Sequence, residues 1–296
     1  MDGVLLLNKP RGMTSHDCVM KLRRLLGTKK IGHTGTLDPD VDGVLPICVG
    51  AATKLVQFLT AESKEYIGEV TIGYSTTTED ASGEILERLP VSETFSSEQI
   101  DAILTEMLGT SIQIPPMYSA VKVNGKKLYE YARAGLDVER PQREVTIFEL
   151  ERTSDIQHVD GLVKFRFRVH GSKGIFIRTV AVTIGEKLGY PAHMSDLTRV
   201  ASGNFKLADC VTFADIEKGD FDLLSIDVAL ADFPTVKVDD WIEKLVRNGV
   251  KLREEQINPP MKNGNFLIKS AQTGTPLSIH EWSDERQGYI SIRGLW

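Results

Sequence analysis

Gly32-His33-Thr34-Gly35-Thr36-Leu37-Asp38-Pro39-Asp40-Val41-Asp42-Gly43-Val44-Leu45-Pro46 is the stretch on which the reading of this chain turns. Gly32 and Gly35 bracket His33 and Thr34, so the backbone can turn tightly and lie against a ligand. Pro39 pushes Asp38 away from helical geometry into an extended or turn conformation. The apolar run Val44 to Val49 predicts a buried strand directly behind the loop. One carboxylate offered from a stiff turn and backed by a strand suits a nucleophile. Two plainer readings compete with it. An Asp before Pro commonly does no more than start a turn. Asp38-x-Asp40-x-Asp42-Gly43 also matches the opening of a calcium loop, but Val49 stands where the bidentate Glu of the twelfth position belongs.

The composition bounds what surrounds this loop. At 296 residues, with 41% hydrophobic and 26% charged residues, the chain reads as a soluble globular protein. That length fits one large domain with a small one, or two of ordinary size. The apolar run Val4 to Leu7 is too short for a signal peptide and nothing is long enough to span a bilayer, so a cytoplasmic location with no membrane contact is expected. Cys18, Cys48 and Cys210 are widely spaced and read as reduced thiols, not as a disulfide framework or a zinc site. The net charge of −6 speaks against nucleic acid until its distribution is considered. Residues 1–35 hold seven basic side chains against two acids, and residues 164–178 hold five against none. Residues 79–106 hold eight acids against Arg88. Such blocks can make a directed phosphate-binding face, although a solvated surface is the ordinary explanation of each.

Taken in order, Gly3 to Pro10 predicts a short buried strand and Thr14 or Ser15 caps a helix with Val19, Leu22 and Leu26 on one side. A helix is expected over Ala51 to Leu59, and a strand from Lys64 places Tyr66, Val70, Ile72 and Tyr74 on one face with Gly68. Residues 75–95 read as an exposed acidic connection. Ser96 and Gln99 form a capping box ahead of the stripe Ile100, Ile103, Leu104, Met107. Asn124-Gly125 is a hairpin turn signal. Val163, Phe165, Phe167 and Val169 alternate with Lys164, Arg166 and Arg168, which predicts an antiparallel sheet with one buried and one basic face. A helix follows Arg178 and ends at Gly189.

Residues 32–50, GHTGTLDPDVDGVLPICVG, resemble the catalytic motif of the bacterial tRNA pseudouridine-55 synthases, the TruB family. The likeness extends over the chain through V-L-L-L-x-K-P at its start, K-x-Y at 64–66, P-P-x-x-S-A-V-K-V-N-G at 115–125, G-x-x-I-R-T before 180 and the block 193–205. It implies an α+β fold, with a mixed, largely antiparallel central sheet flanked by helices, and a small C-terminal β-rich domain of PUA type. The catalytic domain is then expected over residues 1–233, with an RNA-clamping insertion at 115–145, and the RNA-binding domain over 234–296. The resemblance further implies that Asp38 is the nucleophile, that Arg178 pairs with it, and that Tyr66 stacks on uracil and exchanges protons. His33 fills the space that the extruded base leaves, Phe176 and Leu197 enclose the base, and Lys9 and Lys122 add to binding. Many family members have tyrosine where this chain has Phe176, which keeps the stacking surface and loses a hydroxyl. The expected partner is the T-arm of tRNA, met by a monomer that needs no metal, no cofactor and no protein partner. A non-catalytic RNA-binding or tRNA-folding protein using the same basic faces remains the rival reading.

Overall fold

A computed structural model describes residues 1–295 of the chain. β1 (Gly3–Lys9) leads into α1 (Ser15–Leu25), β2 (Ile31–His33), β3 (Asp42–Val49), α2 (Val56–Thr60) and β4 (Lys64–Ile72). A hairpin of β5 (Tyr74–Thr76) and β6 (Ile85–Arg88) precedes α3 (Ser97–Glu106) and β7 (Gly109–Gln113). A second small hairpin, β8 (Lys122–Val123) and β9 (Lys126–Lys127), runs into α4 (Leu128–Arg133). Then come β10 (Arg143–Arg152), β11 (Gln157–Val159), β12 (Leu162–Gly171), α5 (Ile177–Leu188), β13 (Ala192–Ser202) and β14 (Phe205–Lys206). The chain finishes with α6 (Phe213–Lys218), α7 (Ile226–Ala229), β15 (Thr235–Val238), α8 (Asp240–Arg247), β16 (Phe266–Ser270), β17 (Pro276–Ser283) and β18 (Gly288–Gly294).

The apolar runs of β1 and β3 pair antiparallel, and a ten-stranded mixed sheet grows from them in the order β1-β3-β13-β4-β12-β10-β7, with β2, β14 and β11 added beside β3, β13 and β12. Its pairs are antiparallel except for a short parallel contact of β3 with β13, where Thr198 faces Asp42 and Arg199 faces Gly43. Gly43 permits that approach: it has φ +109°, and a Cβ there would sit 2.2 Å from the carbonyl oxygen of Arg199. The helix signals are realised as chemistry. Thr14 and Asp17 exchange hydrogen bonds at the start of α1, Ser96 and Gln99 do the same for α3, and left-handed Gly189 ends α5. α3 and α5 cover one face of the sheet, over a core that includes Val70, Phe165, Phe167, Ile184 and Ala192.

The last four strands form a separate sheet, β15-β16-β17-β18, whose one face closes a core with α8 around Val236, Ile242, Phe266 and Tyr289. Leu267, Ile279 and Leu295 pack the other way, against Val4, Leu55 and Phe58 of the larger part.

The structure adds to two expectations. Residues 75–95 are exposed over most of 81–94, as expected, but they carry structure: β5 and β6 pair, and Asp80 between them bridges to Met194 of β13. The hydroxyls of Thr78 and Ser82 both donate to Asp80, folding an acidic loop back onto the sheet. The basic face of β12 forms as expected and is half-exposed, but its arginines are already paired. Arg166 pairs with Glu69 and Asp196, and Arg168 pairs with Glu65 and Glu151. A pleated strand shows every second residue to one side, and the acids of β4 and β13 occupy that same side.

Candidate active site

The loop between β2 and β3 is pinned at nearly every residue. Thr34 N–H donates to Pro46 O at 3.1 Å, and Gly35 N–H donates to His33 Nδ1 at 3.4 Å. Leu37 N–H donates to Ser15 Oγ at 2.8 Å, Val41 N–H to Asp38 O, and Gly12 N–H to Pro39 O. From below, buried Lys9 donates Nζ to Pro10 O at 2.8 Å and to Pro39 O at 3.1 Å. Arg199, also buried, donates Nε to Val44 O at 2.7 Å and Nη2 to Gly35 O at 3.4 Å. A loop with this many backbone anchors holds the Asp38 side chain in a fixed direction.

That direction is into a cleft of 790 Å³, a size that accommodates a nucleoside. Asp38 Oδ2 lies 3.1 Å from Arg178 Nη2. The guanidinium is buried in the first turn of α5. Its Nη1 donates to Thr78 O at 2.8 Å and its Nη2 to Tyr118 O at 2.9 Å. Asp80 Oδ2 stands 3.8 Å from Nη1. The Asp38 side chain is 40% exposed, but to the cleft and its walls, which strip away bulk hydration. That desolvation pushes its pKa above the usual aspartate range, Arg178 pulls it back down, and the neighbouring Asp80 raises it again.

The floor of the cleft is one face of the sheet. Tyr66 of β4 faces Arg199 of β13, and Gly68 faces Leu197, so Tyr66, Leu197 and Arg199 share that face. Lys64, two residues before Tyr66, is there too. It is buried, donates to Thr60 O at 2.8 Å and to Glu62 O, and burial brings its ammonium down to about 8. Phe176, at the entry to α5, and Val121, from the segment after β7, close the sides. Six basic side chains (Lys64, Lys122, Arg143, Lys173, Arg178, Arg199) line the cleft against Asp38 and Glu144, which gives it a positive field in an acidic protein.

Of the expected site residues, Asp38, Tyr66, Arg178, Phe176, Leu197 and Lys122 therefore border one cavity. His33 does not; it is half-buried beside the loop, accepts from Gly35, and burial lowers its pKa. Lys9 is the clear correction. Its ammonium is fully enclosed and bonded to two carbonyls of the Pro10 and Pro39 turns, so it supports the Asp38 loop and reaches no ligand. The calcium reading fails on direction: Asp38 pairs with Arg178, whereas Asp42 accepts from Thr198 at 2.6 Å and pairs with Arg11. The sequence reading missed Asp80, the carbonyls of Thr78 and Tyr118, Ser15 and Arg199. Backbone carbonyls carry no residue signature. Arg199, in Thr198-Arg199-Val200 on an alternating strand, was legible only as a basic residue at an inward position.

Comparison with known proteins finds relatives along nearly the full length of the chain. Residues 23–177 match the model of the TruB family pseudouridylate synthase N-terminal domain, and residues 178–222 match that of the tRNA pseudouridylate synthase B C-terminal domain. The tRNA pseudouridine synthase B of Bacillus cytotoxicus is 54% identical over 298 residues, covering 98% of this chain and 95% of its own. That of Bacillus cereus is 57% identical over the same shares of the two chains. In fold, the chain is similar to one from a solved Cbf5-Nop10-Gar1 complex, with TM-score 0.75 at 24% identity over 99% of this chain and 85% of the other.

Proposed function

The chain belongs to the TruB family of pseudouridylate synthases, and from that premise we propose that it converts uridine 55 in the T-loop of tRNA to pseudouridine, with Asp38 as nucleophile. The observation that carries this reading is the Asp38–Arg178 pair, 3.1 Å apart at the edge of a cleft walled by Tyr66, Phe176 and Leu197. The reaction breaks the N1–C1′ bond, turns the base, joins C1′ to C5, and moves the C5 proton to N1, so the product is an isomer of the substrate. It needs a covalent handle for one fragment while the other reorients. Arg178, held by two carbonyls, keeps Asp38 ionised and aimed against the desolvation that favours its protonated form.

A stacked T-loop uridine must leave its helix to reach a carboxylate inside a cleft. The aromatic faces of Tyr66 and Phe176 and the Leu197 side chain give the extruded base an apolar slot, and the cationic lining draws in the phosphates beside it. On this reading residues 1–233 are the catalytic domain, 115–145 the clamp on the T-arm, and 234–296 a PUA-like domain that adds RNA contact.

Asp38→Asn tests the proposal. Tritium release from C5-labelled uridine in a T-stem-loop transcript is expected to fall to background, while affinity for the transcript stays within about twofold. Turnover by this variant near the wild-type rate would remove the nucleophile from the reading.

A further inference from the structure

Gln113 is the last residue of β7 and the one buried position of that edge strand. A buried amide needs partners, and it finds both on one residue of another element. Phe176 N–H donates to Gln113 Oε1 at 3.0 Å, and Gln113 Nε2 donates to Phe176 O at 3.4 Å. Phe176 occupies the N-cap of α5, in extended geometry (φ −104°, ψ 109°), and its side chain offers the helix no cap. The turn before it is loosely tied: Gly174 is left-handed and Ile175 N–H reaches Ser172 O only at 3.4 Å. Gln113 Oε1 thus takes the N–H of the N-cap residue from outside, the part that a Glu or Gln at the third helical position plays in a capping box.

We infer that Gln113 is a positioning residue for the reaction proposed above, fixing through this two-bond clamp both the Phe176 ring that walls the cleft and the Arg178 guanidinium two residues along α5. Gln113 does not itself line the cleft, whereas Phe176 and Arg178 do. The clamp also stands where the chain leaves the sheet for residues 114–142. Five residues further on, Tyr118 O accepts from Arg178 Nη2. Residues 113–118 are therefore joined to the start of α5 twice, once by a side chain and once by the backbone. A shift of the α5 entry moves the stacking ring and the arginine together, while Lys64, Arg143 and Arg199 stay in place on the sheet.

The experiment uses the full-length enzyme and two variants. Gln113→Leu keeps the shape and loses both bonds. Gln113→Glu keeps the acceptor but, when ionised, sets an oxygen against Phe176 O; when protonated, its O–H takes over the lost donation. A carboxyl in that place titrates above the ordinary range. Single-turnover pseudouridine formation in a T-stem-loop is measured at saturating enzyme from about pH 5.5 to about 8.5, with affinity by filter binding and fold by circular dichroism.

Gln113→Leu is expected to react roughly ten- to hundredfold more slowly, with affinity within about threefold. Gln113→Glu is expected to be slow at high pH and to recover relative to wild type as pH falls; taking the ratio cancels the titration of Asp38. A Gln113→Leu enzyme at the wild-type rate, or a Gln113→Glu ratio that is flat with pH, overturns the inference. Should Gln113→Leu not fold, the pH dependence of Gln113→Glu alone decides. Absence of product from the wild-type enzyme would instead overturn the proposed function.

Discussion

Asp38 and Asp80 bear on a single guanidinium: Oδ2 of the first lies 3.1 Å from Arg178 Nη2, and Oδ2 of the second 3.8 Å from Nη1. Asp80 is itself fastened through its other oxygen by Thr78 Oγ1 and Ser82 Oγ, each at 2.6 Å, and by Ser82 N–H at 3.0 Å. Arg178 therefore divides its charge between the carboxylate in the cleft and one behind it, which keeps Asp38 from being locked into a closed ion pair.

This arrangement sets a pH dependence. As the proposed nucleophile Asp38 has to be ionised, and burial holds its pKa above the ordinary aspartate value. Activity is expected to fall with decreasing pH along a limb lying above that value. Asp80 contributes to the upward shift, so Asp80→Asn is expected to move the limb to lower pH. Its plateau rate should also drop about tenfold, equivalent to ~1.4 kcal/mol, because the guanidinium then closes wholly on the nucleophile. A profile of kcat/KM against pH checks both effects, and an upward movement of the limb would contradict the account.

Lys9 offers a sharper separation of support from binding. Lys9→Met leaves the Pro10 carbonyl without its buried donor and Pro39 O with Gly12 N–H alone, at an expected cost of about 1–3 kcal/mol in stability. The rate should fall as the Asp38 loop loosens, and T-arm affinity should not change. Urea unfolding together with a binding isotherm measures the two. Weakened binding at unchanged stability would return Lys9 to the RNA contact that its sequence suggested.

The cations can be sorted by salt dependence. Lys173 lines the cleft and has no ion pair among the described residues, whereas Arg168 lies on the reverse face of the sheet, paired with Glu65 at 2.6 Å. Lys173→Ala is expected to reduce the slope of log affinity against log salt by about one. Arg168→Ala is expected to leave that slope as it is. Equal slopes for Lys173→Ala and wild type would place the phosphates elsewhere.

What could be read in advance followed from local chemistry. The caps at Thr14 and Ser96, the Asn124-Gly125 turn and the alternation along 162–170 are decided by neighbours a few residues apart, and each was realised. The convergence of Asp38, Tyr66, Arg178, Phe176 and Leu197 on one cavity was legible through motif resemblance, since no spacing brings positions so distant in the chain together. What escaped were facts of register and packing. The side of the sheet taken by Arg166 and Arg168 depends on which strands flank β12. The docking of residues 76–83 depends on a bridge from Asp80 to Met194, and the carbonyls of Thr78 and Tyr118 are available to any residue type.

The parallel seam between β3 and β13, sealed by Gly43 and by Arg199 bonding to Val44 and Gly35, ties the first fifty residues to a strand some one hundred and fifty positions later. Contacts so remote in sequence are slow to close. During translation the aspartate loop therefore leaves the ribosome long before the side chains that brace it have been made. Until the two-hundredth residue or so has emerged, the nascent polypeptide holds no assembled catalytic centre, and RNA nearby meets an enzyme that is still switched off.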